Sequence, residues 1–183
     1  LCCAVLALTA AAVDAAPVPE AGRVPIDLRR TTLIVRYMEN SLRFLRDALG
    51  LKVVYDNIIR TPRTASSDEA AERSLRLVFV QANDDFIGII GLIEYRKPVK
   101  QPPTVVPDAF SIGTNVLLFN AKDLDGAFAK ACAVPGVTIV ERPVETTYPG
   151  YDGKPPIPVR VSTLRDPDGF TIELNQLLVD KVR

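Results

Sequence analysis

Near the end of the chain, Asp166-Pro167-Asp168-Gly169 precedes Phe170-Thr171-Ile172-Glu173-Leu174-Asn175. The first four residues predict a tight turn, with proline pre-setting φ and glycine closing the turn where other residues would be strained. The next six alternate apolar and polar, so a strand there puts Glu173 at the centre of its polar face. A carboxylate in that place either meets plain solvent or lines a polar cavity as a base, a ligand or an ion-pair partner. Much of the remaining chemistry is excluded by composition. The 183 residues contain no histidine, which removes the usual general base, the commonest metal ligand and any Ser-His or Cys-His nucleophile. Cys2, Cys3 and Cys132 lack zinc-type spacing, and Cys132, in an apolar helical stretch, reads as a small buried hydrophobe. There is no glycine-rich phosphate loop: Gly88 and Gly91 fall in a predicted strand and read as sites of close packing or a bulge.

Lys+Arg and Asp+Glu number 22 each, so no charge footprint points to nucleic acid or an anionic membrane. A hydrophobic content of 48% predicts a folded globule. Residues 1–13 are almost unbroken apolar, followed by Asp14-Ala15-Ala16-Pro17. This is the pattern of an export signal over 1–16, too short to span a bilayer. With no initiating Met and no basic lead, its start reads as truncated, and an exported (periplasmic or secreted) protein is expected. The alternative is an Ala-rich tail.

The elements that must position Glu173 come in two rounds. After a flexible lead-in at 17–27, residues 30–36 predict a strand. Residues 39–49 predict an amphipathic helix with Leu42, Leu45 and Leu49 on one stripe and Gly50 as its stop. Strands follow at 51–57, 75–81 and 87–95, with a polar, mobile loop at 61–73 and a turn at Asn83-Asp84-Asp85. A proline-rich connector, 98–112, separates the modules. The second round runs strand 113–120, helix 123–133 capped by Asp123, strand 137–142, a long loop 143–158, strand 159–164, then the turn and final strand. The order βαβββ thus occurs twice, over 28–97 and 113–178, about 80 residues apart, with a tail at 179–183.

Three stretches together resemble the vicinal-oxygen-chelate superfamily of glyoxalases, bleomycin-resistance proteins and extradiol dioxygenases. They are Thr32-Leu33-Ile34-Val35, the run from Ser41 to Val53, and the turn and strand from Asp166 to Leu174. The resemblance covers about residues 28–176. It implies an α+β fold: two βαβββ modules forming a curled mixed sheet around a shared cleft. It also implies a divalent metal held by His or Glu from four strands. Carried over residue by residue, those positions fall on Arg30, Leu92, Thr114 and Glu173, so only the last is a ligand. Glu94, two residues beyond Leu92, shares its side of the strand and becomes a second carboxylate if the register shifts by two. The resemblance therefore implies a degenerate site, with no cofactor expected. Ca²⁺ or Mg²⁺ on Glu173 and Glu94 is the fallback. Arg30 is expected in the metal's place, paired with Glu173 or Glu94. Tyr148, Gly150 and Tyr151 stand where a loop could cover the cleft.

Three classes of function stay open. One is a binding protein holding a small organic molecule through Arg30, Thr114, Leu92, Tyr148 and Tyr151. The second is a glyoxalase-type lyase, isomerase or dioxygenase, with Glu173 or Glu94 as base and Arg30 stabilising negative charge. The third is a protein-interaction module. A homodimer is among the expected assemblies; nucleic acid and a membrane span are not.

Overall fold

The computed structural model describes residues 22, 24–101, 105–150 and 155–178. The export segment, Cys2, Cys3, part of the connector, Tyr151 and the tail lie outside the described residues. The order is β1 (Arg30–Ile34), α1 (Met38–Leu42) running on into a π-helical segment (Arg43–Ala48), β2 (Lys52–Thr61), β3 (Arg73–Gln81) and β4 (Ile89–Lys97). The second round is β5 (Val116–Asn120), α2 (Leu124–Cys132), β6 (Thr138–Tyr148), β7 (Ile157–Arg165) and β8 (Thr171–Leu177). They form two four-stranded mixed sheets, β1-β4-β3-β2 and β5-β8-β7-β6. In each, the first strand lies parallel to the last and the other pairs are antiparallel. The sheets are curled and not closed.

One face of each sheet is covered by helix, and a single core joins the two modules there. Met38, Leu42, Phe44 and Leu45 from the first helix pack with Val78, Val80, Ile90 and Leu92 from its sheet. The same cluster takes in Leu124, Phe128, Ala131, Leu164, Ile172 and Leu174. The leucine stripe read from the sequence thus points inward, while Arg43, Arg46 and Asp47 stay exposed.

Each module fastens its helix to its last strand in the same way. Glu94 Oε1 accepts from the Met38 N–H at 3.3 Å, and Gln176 Oε1 accepts from the Leu124 N–H at 3.0 Å. An unsatisfied donor at each helix start is thereby met. Asp123 caps α2 besides, accepting from the Gly126 N–H at 3.0 Å.

Several expectations need correction. Residues 61–73 are not an untethered loop. Asp68 within them takes Arg60, Arg96 and the Ser74 hydroxyl at 2.5–2.8 Å, and Lys97 donates to the Glu69 carbonyl. The predicted loop 143–158 is strand at both ends: β6 continues to Tyr148 and β7 begins at Ile157. Pro143 fits because β6 is an edge strand and its register shifts between Glu141 and Val144. Gly88 precedes β4 instead of lying in it, with φ +72°.

Candidate functional site

The face of each sheet turned away from the helices is where the candidate side chains can meet a ligand. In β8, Ile172 and Leu174 enter the core, so period two places Thr171, Glu173 and Asn175 on the opposite, concave face. The Asp166-Pro167-Asp168-Gly169 turn sets this strand. Asp166 Oδ1 accepts from the N–H groups of Asp168 and Phe170, both at 2.9 Å. Gly169 has φ +93°, and a Cβ there would lie 2.9 Å from Val106 Cγ1. Asp168 ties the turn to the first module: its carboxylate accepts from Arg36 Nε at 2.8 Å and from the Ser41 hydroxyl at 3.3 Å.

Glu173 is half-buried, with Leu118 and Thr163 as its register partners. The Tyr148 hydroxyl donates to Glu173 Oε1 at 3.5 Å, the outer limit for such a bond. Burial, then the Glu173 charge, pushes the Tyr148 phenol above its usual value, so it stays a neutral donor. Beside them Asn175 is buried with Oδ1 lacking a hydrogen-bond partner. This end of the concave surface therefore offers acceptors.

The first module carries the opposite character. Val78, Val80, Ile90 and Leu92 lie in the core, so Leu77, Phe79, Ile89, Gly91 and Ile93 take the concave face, with Arg30, Thr32 and Ile34 beside them on β1. Arg30 bends across β4 and lays its guanidinium over the Phe79 ring, 4.3 Å from the centroid. Phe79 in turn stacks on Tyr55, with centroids 4.8 Å apart and planes at 24°. Gly91 makes the crossing possible. A Cβ there would lie 2.9 Å from Thr32 Oγ1 and 3.1 Å from Arg30 Cδ.

These placements revise the residue-by-residue reading. Leu92 is 0% exposed and belongs to the core. Glu94 shares its face and fastens α1, so neither looks into the cleft. Arg30 pairs with neither Glu94 nor Glu173; its contact is the Phe79 ring. The Thr114 hydroxyl is spent on the Ser111 carbonyl at 2.7 Å, and Leu118, not Thr114, is the β5 neighbour of Glu173. Sequence reasoning read Gly91 as a close-packing site but not as the counterpart of Glu173, and it missed Phe79, Tyr55 and Asn175. The helix-fastening repeat shows the equivalence: counting back three residues from Glu94 and from Gln176 gives Gly91 and Glu173 as counterparts. Cys132 is half-buried, and burial pushes its thiol up, away from nucleophile character.

A cavity of about 370 Å³ opens between the end of β1, residues 100–101, residues 106–115 and the β7–β8 turn, with Ile34 and Thr171 among its lining. Four of its polar side chains are already engaged. Arg36 and Asp168 hold each other, and the hydroxyls of Thr114 and Thr171 donate to backbone carbonyls. We read it as a structural junction.

The concave face does not suit a divalent metal. Among the described residues, no three His, Cys, Asp or Glu side chains are grouped to hold one. Where the first module would supply an oxygen ligand stand Gly91 and a fixed cation, Arg30. Hard divalent ions need several oxygen ligands, and Glu173 alone is a poor shell.

Residues 27–174 match the profile of the Glyoxalase/Bleomycin resistance protein/Dioxygenase superfamily. No curated protein matches the sequence. Among solved structures, a glyoxalase family protein from Bacillus cereus is similar, with a TM-score of 0.64 and 15% identity over 88% of this chain and 100% of the other. The trypanothione-dependent glyoxalase I of Leishmania major has a TM-score of 0.52 and 17% identity over 82% of this chain and 86% of the other. TnmS3, an antibiotic-binding protein from Streptomyces, has a TM-score of 0.51 and 20% identity over 85% and 99%. At these identities the likeness establishes the fold.

Proposed function

The chain belongs to the Glyoxalase/Bleomycin resistance protein/Dioxygenase superfamily, and from that premise we propose that it is a metal-independent binding protein for a small organic molecule. The ligand lies on the concave surface between the cationic stack of the first module and the acceptors of the second. The observation that carries this reading is the replacement at Gly91. The place equivalent to Glu173 holds a glycine, and the Arg30 stem occupies the space. A cation there disfavours a metal and favours an organic group with negative charge. The antibiotic-binding structural neighbour supports the class of function. Exposed apolar side chains on the same surface, including Ile34 (46%) and Leu118 (53%), support a homodimer that covers part of it.

The test is a thermal-shift screen of purified protein against small organic acids, phenols and neutral aromatics, alongside metal analysis after dialysis. Ligands that bind the native state raise the melting temperature by mass action, so at least one chemical class is expected to stabilise. Glu173→Gln is expected to weaken that effect. Stoichiometric zinc, nickel, iron or manganese retained through dialysis would overturn the metal-independent reading. So would a divalent ion stabilising the wild type but not the Glu173→Gln variant.

A further inference from the structure

Arg30 differs from the arginines on the other side of its sheet. Arg76 is held by Asp56 and Glu39, and Arg60 and Arg96 share Asp68. The carboxylates that hold them, Asp56, Glu39 and Asp68, lie on the helix side or in a loop. Among the described residues, the Arg30 side chain has no hydrogen bond or ion pair, and its guanidinium contacts the Phe79 ring. Its neighbours on the concave face are Thr32, Ile34, Leu77, Ile93 and, through the stack, Tyr55. None is acidic. An exposed arginine on a flexible stem would ordinarily sample many rotamers. This one is fixed by three features: the Phe79 ring beneath the guanidinium, Tyr55 stacked on that ring, and the groove at Gly91 in which the stem lies.

We propose that this surface is a receptor for small organic carboxylates with an apolar or aromatic body, the carboxylate being taken by the guanidinium of Arg30. A guanidinium stacked by its face keeps its N–H groups free at the edge. Those groups match the two oxygens of one carboxylate. Stacking also removes most of the ordering cost that a free arginine would incur on binding. The apolar body lies on Leu77 and Ile93. This inference rests on the small-molecule reading above and specifies its ligand.

The experiment uses the full chain and matched pairs of probes: phenylacetate with phenylacetamide, and hexanoate with hexanamide. Inorganic phosphate is a control for a bare anion site. Binding is measured by calorimetry on wild type, Arg30→Met, Arg30→Lys and Gly91→Ala, each first checked for its fold by circular dichroism. At least one acid is expected to bind the wild type more tightly than its amide. It should weaken by about tenfold or more in Arg30→Met, the scale of a lost charge-assisted contact. Arg30→Lys should recover only part, because the paired donors are gone. Gly91→Ala, which keeps the charge but crowds the stem, should also weaken the acid. The amides should bind all four proteins alike. Amides that match the acids, or acids unaffected by Arg30→Met, would overturn the carboxylate proposal while leaving a small-molecule site in place. Phosphate binding as tightly as the organic acids would overturn it too. Failure of every organic probe on the wild type would count against both readings.

Discussion

Asp166, the buried carboxylate that sets the turn before β8, permits a quantitative test. It is 3% exposed and accepts two backbone N–H groups through one oxygen. Those bonds favour the ionised form, but burial outweighs them, and the neighbouring Asp168 charge adds to it. The carboxyl is pushed from 3.8 up to about 6. That rise corresponds to about 3 kcal/mol. Because the folded value is the higher one, the group's contribution to stability is fully present below about pH 4. It is lost as pH rises through about 6. Asp166→Asn keeps an oxygen for the two N–H donors and never ionises. It should match the wild type near pH 3.5 and exceed it by up to about 3 kcal/mol near pH 8. For a chain of this length that is a melting temperature higher by about 6–12 °C. Urea unfolding of both proteins at the two pH values measures the difference directly. A variant less stable than the wild type at the higher pH would refute the reasoning, since it would mean that the ionised carboxylate is the form the turn requires. A difference that does not change with pH would refute it as well.

Asp68 should behave in the opposite sense. The Ser74 hydroxyl, then Arg96 and Arg60, holds its carboxyl at about 2 despite partial burial, so its contribution is present above about pH 4 and is lost as pH falls through about 2. Asp68→Asn should flatten the acid limb of a circular-dichroism titration; an unchanged limb would show that the cluster does not hold the 61–73 segment. Leu92→Ala should cost about 2–5 kcal/mol in urea unfolding, as for a fully buried leucine. A loss under about 0.5 kcal/mol, typical of a surface change, would place the residue on the concave side instead.

The strands differ in how plainly their sequences state which face is which. In β8 the alternation of Thr171, Ile172, Glu173, Leu174 and Asn175 leaves one choice of inner face. In β4 the run Ile89-Ile90-Gly91-Leu92-Ile93 is apolar on both sides. Its phase is set only by pairing with β1 and β3, and that pairing sends Leu92 and Glu94 to the helix side. The loop expected from residue 143 began at a proline, and a sequence does not say which strand will be an edge that tolerates one.

Local pattern by itself determined the βαβββ order in each half, the inward stripe of the first helix, the Asp166-Pro167-Asp168-Gly169 turn and the side of β8 on which Glu173 stands. Each follows from a period of two or 3.6 residues, or from the φ preferences of proline and glycine, which act over a few residues. Tertiary structure decided that Gly91 is the counterpart of Glu173, that Arg30 crosses it to reach Phe79, and that Glu94 fastens a helix. Those facts depend on register between strands distant in the chain. A shift of one residue reverses every side chain, and only the shared core selects among the alternatives.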